Sequence, residues 1–217
     1  VPVSFSVTKR DGNREPFNSE LIKRTIQWAQ VGYEEDTDIA VLFDEVIRNC
    51  FDKIKVSEIA DTLILAAVAF IVRDPAYGFV AACLLFKKLY RQVTGKSVLT
   101  SSVEHEYSQQ LARGIADGVS CADFDKRLLE FDVHRLAAHI VPERDNLFDY
   151  MGLKTVYERY FAKHEGRYLE LPQNFWMRVA MGLAIEEEQK TEKAIEFYNV
   201  LSLMQYVPGT PTLLHSG

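Results

Sequence analysis

Val7-Thr8-Lys9-Arg10-Asp11-Gly12-Asn13-Arg14-Glu15-Pro16-Phe17-Asn18 is the stretch on which the reading of the first half of the chain turns. Just before and into it, Val3, Phe5 and Val7 alternate with Ser4, Ser6 and Thr8, the period of a half-buried strand. Asp11-Gly12 is a strong turn signal, because both residue types tolerate positive φ. Residues 14–17 then return antiparallel, and Pro16 confines that strand to an edge.

Outward from the hairpin the period becomes helical. Leu21, Ile22, Thr25, Ile26, Trp28 and Ala29 form one apolar stripe in a helix starting near Ser19. A second helix is expected to bury Ile39, Leu42, Phe43, Val46, Ile47 and Cys50. The third begins with Ser57 as N-cap, and Ala60 stands where a full capping box has Glu. It is apolar nearly all round and so is expected to be the most buried. Asp74-Pro75 ends it. A fourth, Ala76 to about Val93, finishes in Lys87, Lys88 and Arg91, cations suited to a helix C-terminus.

Thr94-Gly95-Lys96-Ser97 is a linker and marks the expected domain boundary. It is no P-loop, since the upstream glycine is missing and a helix precedes it. Beyond it, helices are expected over 102–117, 121–130, 133–140 and 147–161. A hairpin turning at His164-Glu165-Gly166 between 160–162 and 167–171 follows, then helices over 174–187 and 191–203. The tail 207–217 carries Pro208 and Pro211 and is expected to be non-helical. The fold class is mainly α.

Composition narrows the function classes. Hydrophobic residues make up 47% of the 217 and charged residues 26%, the balance of a soluble globular protein. A net charge of −6 argues against a general nucleic-acid binder. The longest uncharged run, 62–72, is too short to span a bilayer, and no signal peptide precedes the first strand. Cys50, Cys83 and Cys121 make no C-x-x-C pair and are expected to be reduced, buried thiols in helices, pointing to the cytoplasm. His105, His134, His139, His164 and His215 show no ligand spacing, so no metal site is expected. Glu186-Glu187-Glu188 is a solvated helix end. Val1 is not Met and Gly217 closes a turn-like stretch, so the chain reads as a piece of a longer one.

Lys9 and Arg10 at the hairpin tip, with Lys87, Lys88 and Arg91 across from them, suit a polyphosphate, because turn amides and fixed cations both favour anions. Glu15 and Asn18 offer an acceptor and an amide to an adenine edge. The competing reading is a solvated charged surface.

These residues carry a resemblance. Val7 to Gly12, with Glu15, Phe17, Asn18, Ile22 and Trp28-Ala29, resembles the opening of an ATP-cone, the hairpin-plus-four-helix domain that senses ATP against dATP in many ribonucleotide reductases. Residues 55–59 and Tyr77…Ala81-Ala82…Leu84 are similar to its third and fourth helices. The resemblance implies that Lys9 and Arg10 meet the phosphates, that Glu15 and Asn18 lie near the base, and that Ile22, Lys87, Lys88 and Arg91 complete the ATP/dATP site. Four positions depart from it: Leu21 replaces a Lys, Val56 a Thr, Ala60 a frequent His and Cys83 an Arg. Each loses a cation or a polar group, and a lost charge-assisted bond costs about 1.5–3 kcal/mol. Both a binding cone and a degenerate one, with another cone upstream, remain open at this point.

The second half carries a denser series. Arg144-Asp145…Phe148-Asp149-Tyr150…Gly152-Leu153-Lys154-Thr155-Val156…Tyr160 is followed by Glu170…Pro172-Gln173…Trp176-Met177-Arg178-Val179-Ala180. Pro208-Gly209-Thr210-Pro211-Thr212-Leu213-Leu214…Ser216-Gly217 then closes the chain. This series is similar to the helical N-terminal region of class I and II ribonucleotide reductase large subunits. The resemblance implies an ATP-cone over 1–94, a helical N-terminal domain over 98–206 and the start of a truncated catalytic barrel over 207–217. It also implies that Thr212 contacts the ribonucleotide substrate, that a thiyl radical drives the reaction, and that Cys50, Cys83 and Cys121 match no catalytic cysteine. The fragment itself is expected to bind no resident cofactor and to be non-catalytic. ATP or dATP is its effector, with Mg²⁺ as a possible companion. Implied partners are the radical-carrying small (beta) subunit and other alpha subunits. The alternatives are a non-binding docking module and a nucleotide-responsive transcriptional repressor, which needs a zinc finger that this chain lacks.

Overall fold

The computed structural model describes residues 5–217; Val3 and Ser4 of the expected first strand lie outside them. The chain forms two units, one ending at Lys88 and including Asp149–Met151, the other made of Leu89–Phe148 and Gly152–Gly217.

In the first unit β1 (Ser6–Thr8) and β2 (Arg14–Pro16) pair antiparallel, with Val7 opposite Glu15. Their turn differs from expectation. Only Gly12 has positive φ, at +83°, and its amide donates to the Lys9 carbonyl at 3.1 Å, while Lys9 N–H donates to Asn13. Asp11 Oδ1 accepts from Asn13 N–H at 2.9 Å, so Asp11 serves as a side-chain brace and the left-handed position falls to glycine alone. A third strand, β3 (Ile54–Lys55), runs parallel to β1 and makes the hairpin a three-stranded sheet in the order β2-β1-β3. Two residues are too few to show a period in sequence.

Four helices complete the unit: α1 (Ser19–Ala29), α2 (Ile39–Asn49), α3 (Val56–Ala69) and α4 (Ala76–Thr94), of which the residues from Leu89 onward are counted with the second unit. Asn18 caps α1 and Asp38 caps α2 through side-chain oxygens. The expected Ser57 cap is corrected: α3 starts at Val56, and Glu58 reaches back to accept from Lys55 N–H at 2.8 Å. The expected stripe of α1 loses Leu21, which is 51% exposed, because the core side is covered by Ile22, Thr25, Ile26 and Ala29. Nor is α3 the most buried helix. It leaves Leu65 exposed, whereas α4 buries Tyr77, Val80, Ala81, Ala82, Leu84, Leu85 and Phe86. Of the residues expected in the α2 core, Leu42 and Val46 are buried, while Ile39, Phe43, Ile47 and Cys50 are half-buried.

The second unit is helical. Its elements are α5 (Val103–Ser120), α6 (Val133–Ala137), α7 (Tyr150–Arg159), the hairpin β4 (Lys163–His164) and β5 (Arg167–Tyr168), α8 (Pro172–Leu183), α9 (Lys190–Ser202) and α10 (Thr210–His215). Two short 3-10 turns, Lys126–Glu130 and Pro142–Leu147, join them. The helix expected over 121–130 is therefore mostly absent. Ala122 takes φ +60° just after α5, and Asp125 restarts only a short turn by accepting from Arg127 N–H. The hairpin turns at Glu165-Gly166, both at positive φ; β4 lies just after the expected 160–162, while β5 starts at residue 167 as expected but is only two residues long.

The expectation that residues 207–217 cannot be helical is overturned by α10. Its Pro211 sits at the second helical position, where a backbone N–H has no intrahelical acceptor and none is lost. The cysteines are likewise corrected: Cys83 lies in α4, but Cys50 and Cys121 are C-caps, and all three are half-buried and outside any disulfide. Among the described residues no helix is long and apolar enough to cross a membrane.

Candidate functional site

On the first unit the hairpin presents Lys9 and Glu15 as a pair, Nζ to Oε2 at 2.5 Å. The Glu15 carboxylate raises the Lys9 ammonium above its ordinary value, first through the hydrogen bond and then through charge. Arg10 is exposed at the turn. Asn18 spends its Oδ1 on the α1 cap, accepting from Leu21 N–H at 3.1 Å, so what its side chain can still offer is the amide N–H pair. Ile22 is a core residue, 6% exposed.

Asn18, Ile22 and Thr25 recur at helical spacing on one face of α1. Lys87 from α4 reaches that face and donates to Thr25 Oγ1 at 3.0 Å. Its neighbour Lys88 turns elsewhere and pairs with Asp61 of α3 at 2.5 Å. The two lysines, adjacent in sequence, thus address different helices, since successive helical residues point about 100° apart. Arg91 is exposed and belongs to the second unit. Leu21 and Val56, two of the departures from the cone pattern, are 51% and 41% exposed, so apolar atoms face solvent at those positions; Ala60 and Cys83 are half-buried.

The second unit holds a buried polar network that sequence reading did not single out. Arg178 of α8 forms a double hydrogen bond with Glu170, Nε to Oε2 at 3.0 Å and Nη2 to Oε1 at 3.1 Å, with both side chains 3% exposed. Glu170 Oε1 also accepts from Ala162 N–H, and the guanidinium lies over the Phe124 and Phe175 rings. Every charge here is therefore matched, as burial demands. The signal available in sequence was Arg178 itself, a cation inside the apolar run Phe175-Trp176-Met177 and Val179-Ala180.

The same arginine holds the tail. Its Nη1 donates to the Ser216 carbonyl at 2.6 Å, and Asp125 N–H donates to Gly217 at 2.7 Å. Gly182 allows this approach, since a Cβ there would stand 2.1 Å from Gly217 N. Thr212 is half-buried within α10, next to the buried anchor Leu213.

A second network surrounds Asp145, which accepts from Tyr107 OH at 2.5 Å and from Gln173 Nε2 at 2.8 Å. Gln173 in turn accepts from Tyr198 OH, and Tyr198 OH accepts from Val141 N–H. Burial pushes the Asp145 carboxyl up to about 7, against the opposing effect of its two donors, and pushes the Tyr107 phenol up as well.

A small sheet with four helices, followed by a mainly helical unit ending in a strapped tail, defines a cone-type module together with a reductase-type helical domain. The comparisons with known proteins agree. Residues 5–92 match the family model "ATP cone domain", and residues 146–217 match "Ribonucleotide reductase, all-alpha domain". The chain is 41% identical over 214 residues to the ribonucleoside-diphosphate reductase subunit alpha of Chlamydia trachomatis serovar D, covering 99% of this chain and 20% of that protein. It is 34% identical to the protein of the same name from Helicobacter pylori strain J99, covering 98% and 26%, and 28% identical to the Plasmodium falciparum large subunit, covering 97% and 25%. The chain belongs to the ribonucleotide reductase large-subunit family and spans a fifth to a quarter of the length of these relatives.

Proposed function

We propose that the first unit binds ATP or dATP as an effector and thereby sets the overall activity and assembly state of a ribonucleoside-diphosphate reductase. The division in this reading is a cone over 1–94, a helical domain over 98–206 and the entry to a catalytic barrel over 207–217. The observation that carries it is that Lys9, Lys87 and Lys88 are each held by an internal acceptor, Glu15, Thr25 and Asp61, on a unit whose sequence matches the cone. A triphosphate, with or without Mg²⁺, replaces those acceptors at little conformational cost, because the ammonium groups are already ordered. Arg10 adds charge from the turn, and Glu15, once released, becomes the acceptor for the base amino group beside the Asn18 amide. Ile22 supports the base from below.

For the whole protein the reading is a cytoplasmic enzyme that replaces the ribose 2′-hydroxyl by hydrogen through a thiyl radical. It works with a radical-carrying beta subunit and further alpha subunits, and Thr212 at the barrel entry touches the ribonucleotide. Regulation of this kind requires that ATP and dATP bind two assembly states with different affinity. The exposed apolar atoms at Leu21 and Val56 favour one rival, a docking module that no longer binds nucleotide.

Calorimetry with ATP and with dATP separates the two. Binding heat is expected, with affinity reduced about tenfold or more in Lys87→Ala, since a charge-assisted contact is worth about 1.5–3 kcal/mol. No heat from either nucleotide leaves the docking role.

A further inference from the structure

In sequence His164 lies far from Cys121 and Asp123, and neither Cys121 nor His164 shows ligand spacing. The fold brings one ligand atom of each to within 4.8 Å of the others, all in the second unit. Two local devices produce this. Ala122, at φ +60°, reverses the chain after α5, and the Asp123 and Phe124 amides both donate to the Gly118 carbonyl, so Cys121 and Asp123 are set side by side. The β4–β5 hairpin, turning tightly at Glu165-Gly166, presents His164 from the other direction. It is docked onto α5 by Arg167, whose Nη2 donates to Asp117 Oδ2 at 3.0 Å.

We propose that Cys121, Asp123 and His164 form a site for a borderline-soft divalent cation, Zn²⁺ foremost, that clasps the C-terminus of α5 to the β4–β5 hairpin. The donor set of one thiolate, one imidazole and one carboxylate is that of zinc and excludes the hard ions Mg²⁺ and Ca²⁺, which take oxygen ligands. Metal–ligand bonds of about 2.0–2.3 Å place neighbouring tetrahedral ligands roughly 3.3–3.6 Å apart. His164 Nδ1 and Asp123 Oδ2 already stand 3.6 Å apart. Both side chains are 43% exposed and Cys121 is half-buried, so small rotations complete the set without repacking a core. Three protein ligands leave the fourth position to water. On binding, the Cys121 thiol gives up its proton to solvent and the sulfur–metal bond forms with no change of oxidation state.

The test is Co²⁺ titration of the intact chain, followed by displacement with Zn²⁺. A thiolate-to-cobalt charge-transfer band and the visible bands of a tetrahedral centre are expected, saturating at one ion per chain and disappearing when Zn²⁺ is added. Cys121→Ser is expected to remove the charge-transfer band, and His164→Ala to weaken binding by about tenfold or more. Cys50→Ser and Cys83→Ser are expected to leave both unchanged. Zn²⁺ is also expected to raise the melting temperature of the parent chain but not of Cys121→Ser. Melting without metal checks that the variants fold. Absence of the band in the parent chain, or its persistence in both Cys121→Ser and His164→Ala, overturns the proposal.

Discussion

Lys9–Glu15 on the first unit and Arg178–Glu170 on the second are both pairs of a basic side chain with a glutamate, yet the environments differ. The first is 46% and 44% exposed and the second 3% on both sides. In water a pair of this kind contributes little, so the protein would lose little if a phosphate took the lysine away. Away from water, removal of one partner strands the other charge at a cost of about 3–5 kcal/mol. The comparison teaches that exposure, not chemistry, separates a cation offered to a ligand from one committed to the scaffold.

The largest expected effect tests the committed side. Arg178→Ala should lower unfolding free energy by about 3–5 kcal/mol, read from denaturant midpoints, because Glu170 is left buried and the tail loses its donor at Ser216. A loss under about 1 kcal/mol would erase the contrast between the two pairs.

A middle-sized effect concerns pH. With its folded value near 7 and the ordinary value at 3.8, Asp145 favours its neutral form in the folded state. Its stabilising contribution is complete below about pH 4 and is lost as pH rises through 7. The full shift corresponds to roughly 4 kcal/mol, and partial exposure of the residue reduces the expectation to about 2 kcal/mol. Melting temperature should therefore fall between pH 5 and 8 in the parent chain, and Asp145→Asn should flatten that slope. An unchanged slope in Asp145→Asn removes Asp145 as its source.

The smallest expected effect on stability is on the offered side. Lys9→Ala should leave the denaturant midpoint essentially unchanged while weakening ATP binding about tenfold. A stability loss as large as that of Arg178→Ala would show Lys9 to be scaffold rather than site.

Much of the architecture was legible beforehand where one rule acts alone. Hairpin alternation and helical stripes depend on neighbours in sequence, and the α-rich fold followed from them. Errors came where two local rules competed. Pro211 reads as a helix breaker until its place at the second position of α10 is known. Lys55 reads as no cap until Glu58 is seen reaching back to its amide. In the candidate site, Lys9 and Glu15 were legible as hairpin residues, whereas their ion pair and the divergence of Lys87 and Lys88 toward α1 and α3 were not, since these depend on side-chain geometry and on where three helices lie.

The amino-acid order alone determined the periodic elements, the reductase-type motif series and which cations the hairpin and α4 carry. Tertiary structure alone decided which of those groups face water, which charges are enclosed, and that Cys121, Asp123 and His164 meet. The reason is that burial and long-range proximity depend on how elements pack, and side-chain spacing along one strand or helix carries no record of the surface it will be pressed against.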